Sequence, residues 1–235
     1  MDPSEAEPIP AAVADGVDPM PFRESRWPAA AAVFMFMILN ITVRIWLPQE
    51  PVIAVPWLLP ALEAAILVVL VFGHPADLVR HRRWLHPTAV TLATVMVAAA
   101  LWATVRLIDD LIHGSALTND PARLLAAGAL VWLGNNLSFS LLYWLIDSGG
   151  PIMRAQRALP ADFAFTQHMS PELAPHGWRP VFLDYLHLGF TNSTAFSPTD
   201  VLPLTHRAKY TMLVQSTIAL ALFGLIVARA VNAFT

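Results

Sequence analysis

Residues 184–205 read DYLHLGFTNSTAFSPTDVLPLT, and this stretch decides the fold because it interrupts a series of long apolar blocks. An apolar block at about 122–146 precedes it, and a polar region at 147–180 leads into a short, mostly apolar segment at about 181–190. That segment is too brief to cross a bilayer core, which takes about 20 helical residues. A final block is free of charge from Tyr210 to Ala228. Irregular backbone is tolerated at membrane depth only where protein or a water-filled cavity satisfies it, so this order predicts a re-entrant loop.

The composition is that of an integral membrane protein. Of the 235 residues, 56% are hydrophobic and only 13% are charged, and the mean hydropathy is +0.55. A soluble domain usually carries about 25% charged residues, so much of this surface faces something other than water. The net charge of -3 gives no electrostatic basis for binding nucleic acid. The chain has no cysteine, which excludes disulfides, thiolate metal sites and cysteine nucleophiles.

The apolar blocks predict an all-α polytopic membrane protein with about five transmembrane helices and one re-entrant pore-type half-helix. The five blocks lie at 29–47, about 54–73, 88–108, about 122–146 and from about 205 onward. Residues 1–28 are rich in proline and acidic residues, and we interpret them as a disordered tail. The predicted organisation is therefore this tail, a three-helix N-terminal membrane region at 29–118, and a pore-like module at 119–235 with an outer helix, a re-entrant loop and an inner helix.

The stretch at 184–205 resembles the pore helix, filter and outer mouth of the potassium-channel superfamily, whose pattern is roughly D-A-x-x-x-x-F-x-T-x-T-T-V-G-Y-G-D-x-x-P. Asp184 and Phe190 match the pore helix, Thr194 a filter threonine, Asp200 the acidic residue after the filter, and Pro203 the proline beyond it. The last apolar block resembles the inner, pore-lining helix. The resemblance implies that one chain supplies one wall of a homotetrameric pore. The whole chain also resembles a group of bacterial membrane proteins, which adds no mechanism.

The chain departs from this family at the filter itself. Where the family has Gly-Tyr-Gly, this chain has Ser197-Pro198-Thr199. Serine and threonine resist the left-handed dihedrals that point successive carbonyls at the ion, and proline fixes its own φ. We therefore expect no potassium-selective carbonyl cage. If cations pass, hydroxyl groups and the Asp200 carboxylates would replace their water, and the pore and filter residues are then Thr191, Ser193, Thr194, Ser197, Pro198, Thr199 and Asp200.

Two alternatives remain open for these residues. Ser197-Pro198-Thr199-Asp200 has the pattern of a helix capping box, with serine as the cap and proline in the first turn. In functional terms, the alternative to a cation-permeable channel is a non-conducting membrane scaffold or accessory subunit that retains the pore-module fold, because a fold does not determine a function.

Other polar residues inside the apolar blocks have both a functional and a packing interpretation. Arg44 and Glu63 are intramembrane charges that could pair across a hairpin, although snorkelling of the arginine and a packing role for the glutamate are the blander alternatives. In the last block, Gln215, Ser216 and Thr217 would face a pore if one exists and otherwise join helices together. No motif of a membrane enzyme is found, and no cofactor or metal is expected. The expected partners are membrane lipids, a cation and further copies of the chain in the cell membrane.

Overall fold

A computed structural model of the chain describes residues 24–25, 27–46, 61, 64–65, 82–114, 120–155, 159–194 and 200–233, and these are mostly helical. In chain order the elements are α1 (Trp27–Trp46), α2 (Arg82–His113), α3 (Pro121–Ile146), a 3-10 turn (Asp147–Gly149), α4 (Pro151–Ala155), β1 (Phe163–Phe165), α5 (Thr166–Met169), α6 (Phe182–Thr194), β2 (Val201–Pro203) and α7 (His206–Ala233).

Three helices in the described part of the chain are long and apolar enough to cross a membrane. They are His86–His113, Ala122–Gly149 and His206–Ala228, and α1 holds a shorter apolar stretch at Trp27–Val43. The predicted helix at about 54–73 lies outside the described residues, except for helical positions 61, 64 and 65. The described residues therefore form a largely helical protein with several membrane-length helices.

Several boundaries differ from the sequence-based prediction. Helix α1 begins at Trp27, and Glu24 packs against α3 and α6, so the predicted tail at 1–28 does not extend as far as residue 28. The third predicted block, 88–108, belongs to a longer helix of 32 residues. The short helix α6 continues to Thr194, four residues beyond its predicted end. Helix α3 begins as predicted, because the Asp120 carboxylate accepts hydrogen bonds from the backbone N–H groups of Ala122 and Arg123 at 3.0 and 3.3 Å.

The all-α prediction does not include a two-stranded ribbon, which is the one β-structure among the described residues. Strands β1 and β2 are antiparallel, with Phe163 opposite Pro203 and Phe165 opposite Val201. Each strand has three residues, which is too short to give a recognisable alternation in the sequence. The ribbon joins the loop that follows α3 to the chain that leads into α7.

Helix α3 is the centre of the bundle. It packs against α1, α2, α6 and α7. One apolar cluster around it includes Phe36, Phe139 and Tyr143, all at most 1% exposed, and a second cluster nearer the start of α3 includes Leu124 and Leu222. Because α3 is covered on most sides, its buried polar groups depend on partners within the protein, and among the described residues only Asn135 Oδ1 is without one.

Candidate functional site

The candidate site is the short helix α6 together with the residues that hold it between α3 and α7. Helix α6 has 13 residues and is therefore about 20 Å long, which is well short of the roughly 30 Å hydrocarbon core. Its first residue lies beside the last turn of α3, where the rings of Phe182 and Trp144 meet edge-on with centroids 6.0 Å apart. Near its other end, the Phe190 ring meets Trp132 edge-on at 5.5 Å. Trp132 precedes the end of α3 by 14 residues, which is about 21 Å along the helix.

A close approach of backbone seats α6 against the middle of α3. A Cβ atom added at Gly189 would overlap the Ser140 hydroxyl and would lie 2.9 Å from Asn136 Oδ1. A side chain at this position would therefore require the Ser140 and Asn136 side chains or the helix spacing to shift. The contact needs a glycine because of this lack of space, since helical backbone itself would accept alanine.

Strand β2, which follows α6 in the chain, lies beside the end of α3. There β2 pairs with β1, and the backbone N–H of Leu204 donates to the Asp162 carbonyl at 2.8 Å. Arg207, in the first turn of α7, donates from Nη2 to the Ile146 carbonyl at 3.2 Å. The start of α6, strand β2 and the start of α7 therefore all lie at the same end of α3.

A buried polar cluster, which we call the amide clamp, joins the last turns of α6 to α3 and α7. It consists of Tyr143, Asn192, Gln215 and Ser216. The Tyr143 hydroxyl donates to Gln215 Oε1 at 2.6 Å, and Asn192 Nδ2 donates to the same oxygen at 2.7 Å and to the Met212 carbonyl at 3.0 Å. Gln215 Nε2 donates to the Gly189 carbonyl at 3.0 Å, and the Ser216 hydroxyl donates to Asn192 Oδ1 at 3.0 Å.

The amide clamp is a rigid support because nearly all of its polar atoms have partners. Asn192 and Gln215 are 2% and 1% exposed, and a buried amide left unpaired would cost about 1–3 kcal/mol. The clamp therefore fixes the depth and rotation of α6 relative to both neighbouring helices.

A second cluster, the aspartate clasp, holds the base of α6. It consists of Asp147 and Asp162 with their partners Tyr185 and Arg207. Asp147 Oδ1 accepts a hydrogen bond from the backbone N–H of Asp162 at 2.7 Å, and Asp162 Oδ2 accepts one from the backbone N–H of Ser148 at 3.0 Å. The Tyr185 hydroxyl of α6 donates to Asp147 Oδ2. The two aspartates thus close the loop between α3 and β1 and bind α6 to it.

Arg207 extends the aspartate clasp to α7. Its Nε and Nη2 atoms donate to the two carboxylate oxygens of Asp162 at 2.5 Å each, and the Thr205 hydroxyl donates to Oδ1 at 2.6 Å. Burial opposes ionisation of Asp162, but the hydrogen bonds from Arg207, Thr205 and Ser148 outweigh it, so the pKa of Asp162 is lower than its usual value. The bidentate pair is the stronger geometry for an arginine and a carboxylate.

Arg154 and Glu24 complete the base of the site. Arg154 Nη1 donates to the carbonyls of Trp144 and Asp147 at 3.1 and 3.2 Å, and its guanidinium lies over the Tyr185 ring at 4.9 Å. Arg154 Nη2 donates to Glu24 Oε2 at 3.4 Å. Arg154 therefore satisfies backbone carbonyls at the end of α3 and connects them to the segment before α1.

The predicted pore residues fall into three groups. Thr191, Ser193 and Thr194 lie on α6, where their hydroxyls donate to carbonyls of the same helix, for example Thr194 to Phe190 at 2.9 Å. Ser197, Pro198 and Thr199 lie outside the described residues, so the capping-box alternative lies there too. Asp200 is exposed and immediately precedes β2.

The inner-helix candidates divide between packing and exposure. Gln215 and Ser216 belong to the amide clamp, with their polar groups turned toward α3 and α6. Thr217 is exposed, and its hydroxyl donates to the Leu213 carbonyl of its own helix. Arg44 lies on α1, but its side chain and all of Glu63 are outside the described residues.

Sequence reasoning did not find the aspartate clasp or the role of Asn192. Asp147 directly precedes Ser148, Gly149 and Gly150, which all have positive φ angles of 53°, 75° and 89°. An aspartate at the end of an apolar block and before such a turn is a signal that could have marked Asp147. Asp162 and Arg207 are 45 residues apart, and nothing in the sequence links them.

Comparison with known proteins adds no assignment to this geometry. No protein-family model, no curated protein and no solved structure matches the chain.

Proposed function

We propose that α3, α6 and α7 form a pore-type module in which α6 is a re-entrant half-helix, and that four copies of the chain enclose a cation-permeable channel in the cell membrane. The observation that carries this proposal is the position of the two ends of the 182–203 segment. Helix α6 begins beside the end of α3, extends partway along α3, and is followed by β2 at that same end.

The length of the returning chain supports the same interpretation. Six residues, 195–200, separate the end of α6 from β2. Fully extended, six residues span about 20 Å, which equals the length of α6. The number of residues in this segment is therefore sufficient for the chain to return to the end of α3.

The charge distribution favours a cation in this arrangement. The C-terminal end of a helix carries a partial negative charge of about half an elementary charge, and in the proposed module the C-terminal end of α6 points into the membrane. Asp200 lies beyond it, exposed at the end from which α6 starts. A ring of four Asp200 carboxylates would concentrate cations at the mouth of the pore.

Planar-bilayer recording of the purified protein tests conduction. We expect cation currents, and we expect Asp200→Asn to lower the cation-to-anion permeability ratio. Glu172→Gln removes a charge from another exposed carboxylate in the loop between α3 and α6 and should leave the ratio unchanged. Silence of the wild type with monovalent and divalent ions, together with silence of a Ser197→Gly, Pro198→Tyr double variant, would rule out a channel.

The oligomeric state provides a simpler test. A monomer or dimer cannot enclose this kind of pore, so the mass of the protein in detergent should correspond to four chains. A stable monomer or dimer across mild detergents would contradict the proposed assembly.

A non-conducting scaffold is the second candidate, and one observation favours it. The hydroxyls of Thr191, Ser193 and Thr194 and the amide of Gln215 are engaged in hydrogen bonds within the chain. A pore lined by these groups would have to compete with those bonds for the ion. A tetramer that passes no ions would support the scaffold.

A further inference from the structure

Glu24 joins the segment before α1 to the base of α6. Its Oε1 atom accepts hydrogen bonds from Trp144 Nε1 at 2.7 Å and from the backbone N–H of Phe182 at 2.8 Å. Its Oε2 atom accepts one from Arg154 Nη2 at 3.4 Å. The Glu24 side chain is 10% exposed. One carboxyl group therefore satisfies the first backbone N–H of α6 and the indole at the end of α3 together.

Among the described residues, the charges that face Glu24 do not balance. Arg154 on α4 is shared, because it lies 3.4 Å from Glu24 Oε2 and 4.0 Å from Asp147 Oδ2. Helix α6 contributes Tyr185, which is neutral, and Asp184, a further half-buried carboxyl whose Oδ2 atom accepts from the backbone N–H of Val181 at 2.7 Å. Two nearly buried carboxyls thus share one guanidinium, since Arg207 is paired with Asp162.

Of the two carboxyls that share Arg154, Asp147 is held by the loop between α3 and β1 and by α6. It accepts hydrogen bonds from the backbone N–H groups of Asp162 and Phe163 and from the Tyr185 hydroxyl. Glu24 accepts hydrogen bonds from Trp144, Phe182 and Arg154 and is nearly buried. Burial raises the pKa of Glu24, and the attraction to Arg154 offsets this only in part.

We propose that Glu24 is a proton-operated latch, which docks residues 24–25 onto the first turn of α6 when its carboxyl is protonated and loosens when the proton is lost. A neutral carboxyl keeps an oxygen that accepts from Trp144 and Phe182, and it leaves Arg154 to Asp147. An ionised Glu24 adds a second nearly buried negative charge that one guanidinium cannot fully compensate.

The direction of the pH dependence follows from this. In the docked state Glu24 holds its proton more tightly than a free glutamate, whose pKa is 4.5. The stabilisation of the docked state is therefore complete below about pH 4.5 and is lost as the pH rises through the higher pKa of the docked carboxyl. The consequence for a pore rests on the proposed function, because a loosened first turn would let α6 shift.

Hydrogen exchange of the Phe182 amide in lipid nanodiscs tests the latch without any need for conduction. Protection is expressed relative to the intrinsic exchange rate, which removes the direct effect of pH. We expect wild-type protection of this amide to fall several-fold as the pH rises from about 4.5 to 8. Glu24→Gln, which mimics the protonated carboxyl, should remain protected throughout, whereas Glu172→Gln should follow the wild type.

Two outcomes would overturn the latch: wild-type protection that does not change with pH, or a Glu24→Gln profile that matches the wild-type profile. The wild-type profile alone decides the question if Glu24→Gln does not fold. Glu24→Asp gives a second check, because the shorter side chain should lose protection at every pH. If protection of the Phe182 amide depends on pH but the protein passes no current, the channel is refuted and the latch stands. If the protein conducts but this protection does not change with pH, the latch is refuted and the channel stands.

Discussion

Replacing Gly189 by alanine tests whether α6 is seated against the middle of α3. The added methyl group would overlap the Ser140 hydroxyl and approach Asn136 Oδ1 to 2.9 Å. Overpacking of this kind typically costs about 1–3 kcal/mol, and replacing a helical glycine by alanine returns up to about 1 kcal/mol. Taking the full return, we expect Gly189→Ala to lower the free energy of unfolding by up to about 2 kcal/mol.

The assay is reversible unfolding in detergent micelles, and the chain offers a matched control. A Cβ atom added at Gly224, on the exposed face of α7, meets nothing within 4 Å, so Gly224→Ala should be neutral or slightly stabilising. Adding Ser140→Ala to Gly189→Ala removes the nearest obstructing atom and should recover part of the loss. If Gly189→Ala is no more harmful than Gly224→Ala, α6 is not held against α3 at this point, and the reasoning is wrong.

The remaining predictions concern the two polar clusters. Asn192→Ala should destabilise the protein by about 1–3 kcal/mol, because Gln215 and Ser216 lose a buried partner. Thr217→Ala removes only an exposed bond within α7 and should stay within about 0.5 kcal/mol of the wild type in the same assay. The lowered pKa of Asp162 means that its ionised form adds stability above about pH 3.8, which is lost as the pH falls below that value. Thermal unfolding scans should show this acid loss in the wild type and a smaller one in Asp162→Asn, and equal acid losses would contradict the role of the clasp. Arg207→Lys should lower the thermal midpoint at neutral pH, since a lysine cannot make the bidentate pair, and an unchanged midpoint would count against that pair.

The helices were predictable from the sequence because long apolar blocks need little beyond their own composition to be recognised. The start of α3 was predictable for the same local reason, since Asp120 and Pro121 form a cap within one turn. The length of α6 was underestimated, because the polar residues Thr191, Ser193 and Thr194 follow the apolar segment and were predicted as pore and filter residues. These residues continue α6 by one turn, and their hydroxyls satisfy carbonyls one turn earlier.

The polar clusters were not predictable because they depend on tertiary contacts. Gln215 was singled out as polar within an apolar block, but its partners Tyr143 and Asn192 lie 72 and 23 residues away in sequence. Glu24 was assigned to a disordered tail on composition, since proline and acidic residues surround it. Its burial depends on Arg154 and on the first turn of α6, which are 130 and 158 residues distant.

Labelling of single introduced cysteines tests most directly whether the chain after α6 returns to the side from which α6 starts. The chain has no native cysteine that would react with the label. The three positions are Glu172 in the loop before α6, Asp200 just after the proposed return, and His113 at the end of α2, all of them exposed. With a membrane-impermeant maleimide added to one side of sealed, oriented vesicles, Glu172→Cys and Asp200→Cys should react from the same side and His113→Cys from the other. If Asp200→Cys reacts from the side of His113, the segment crosses the membrane rather than returning, and the pore-type module is refuted.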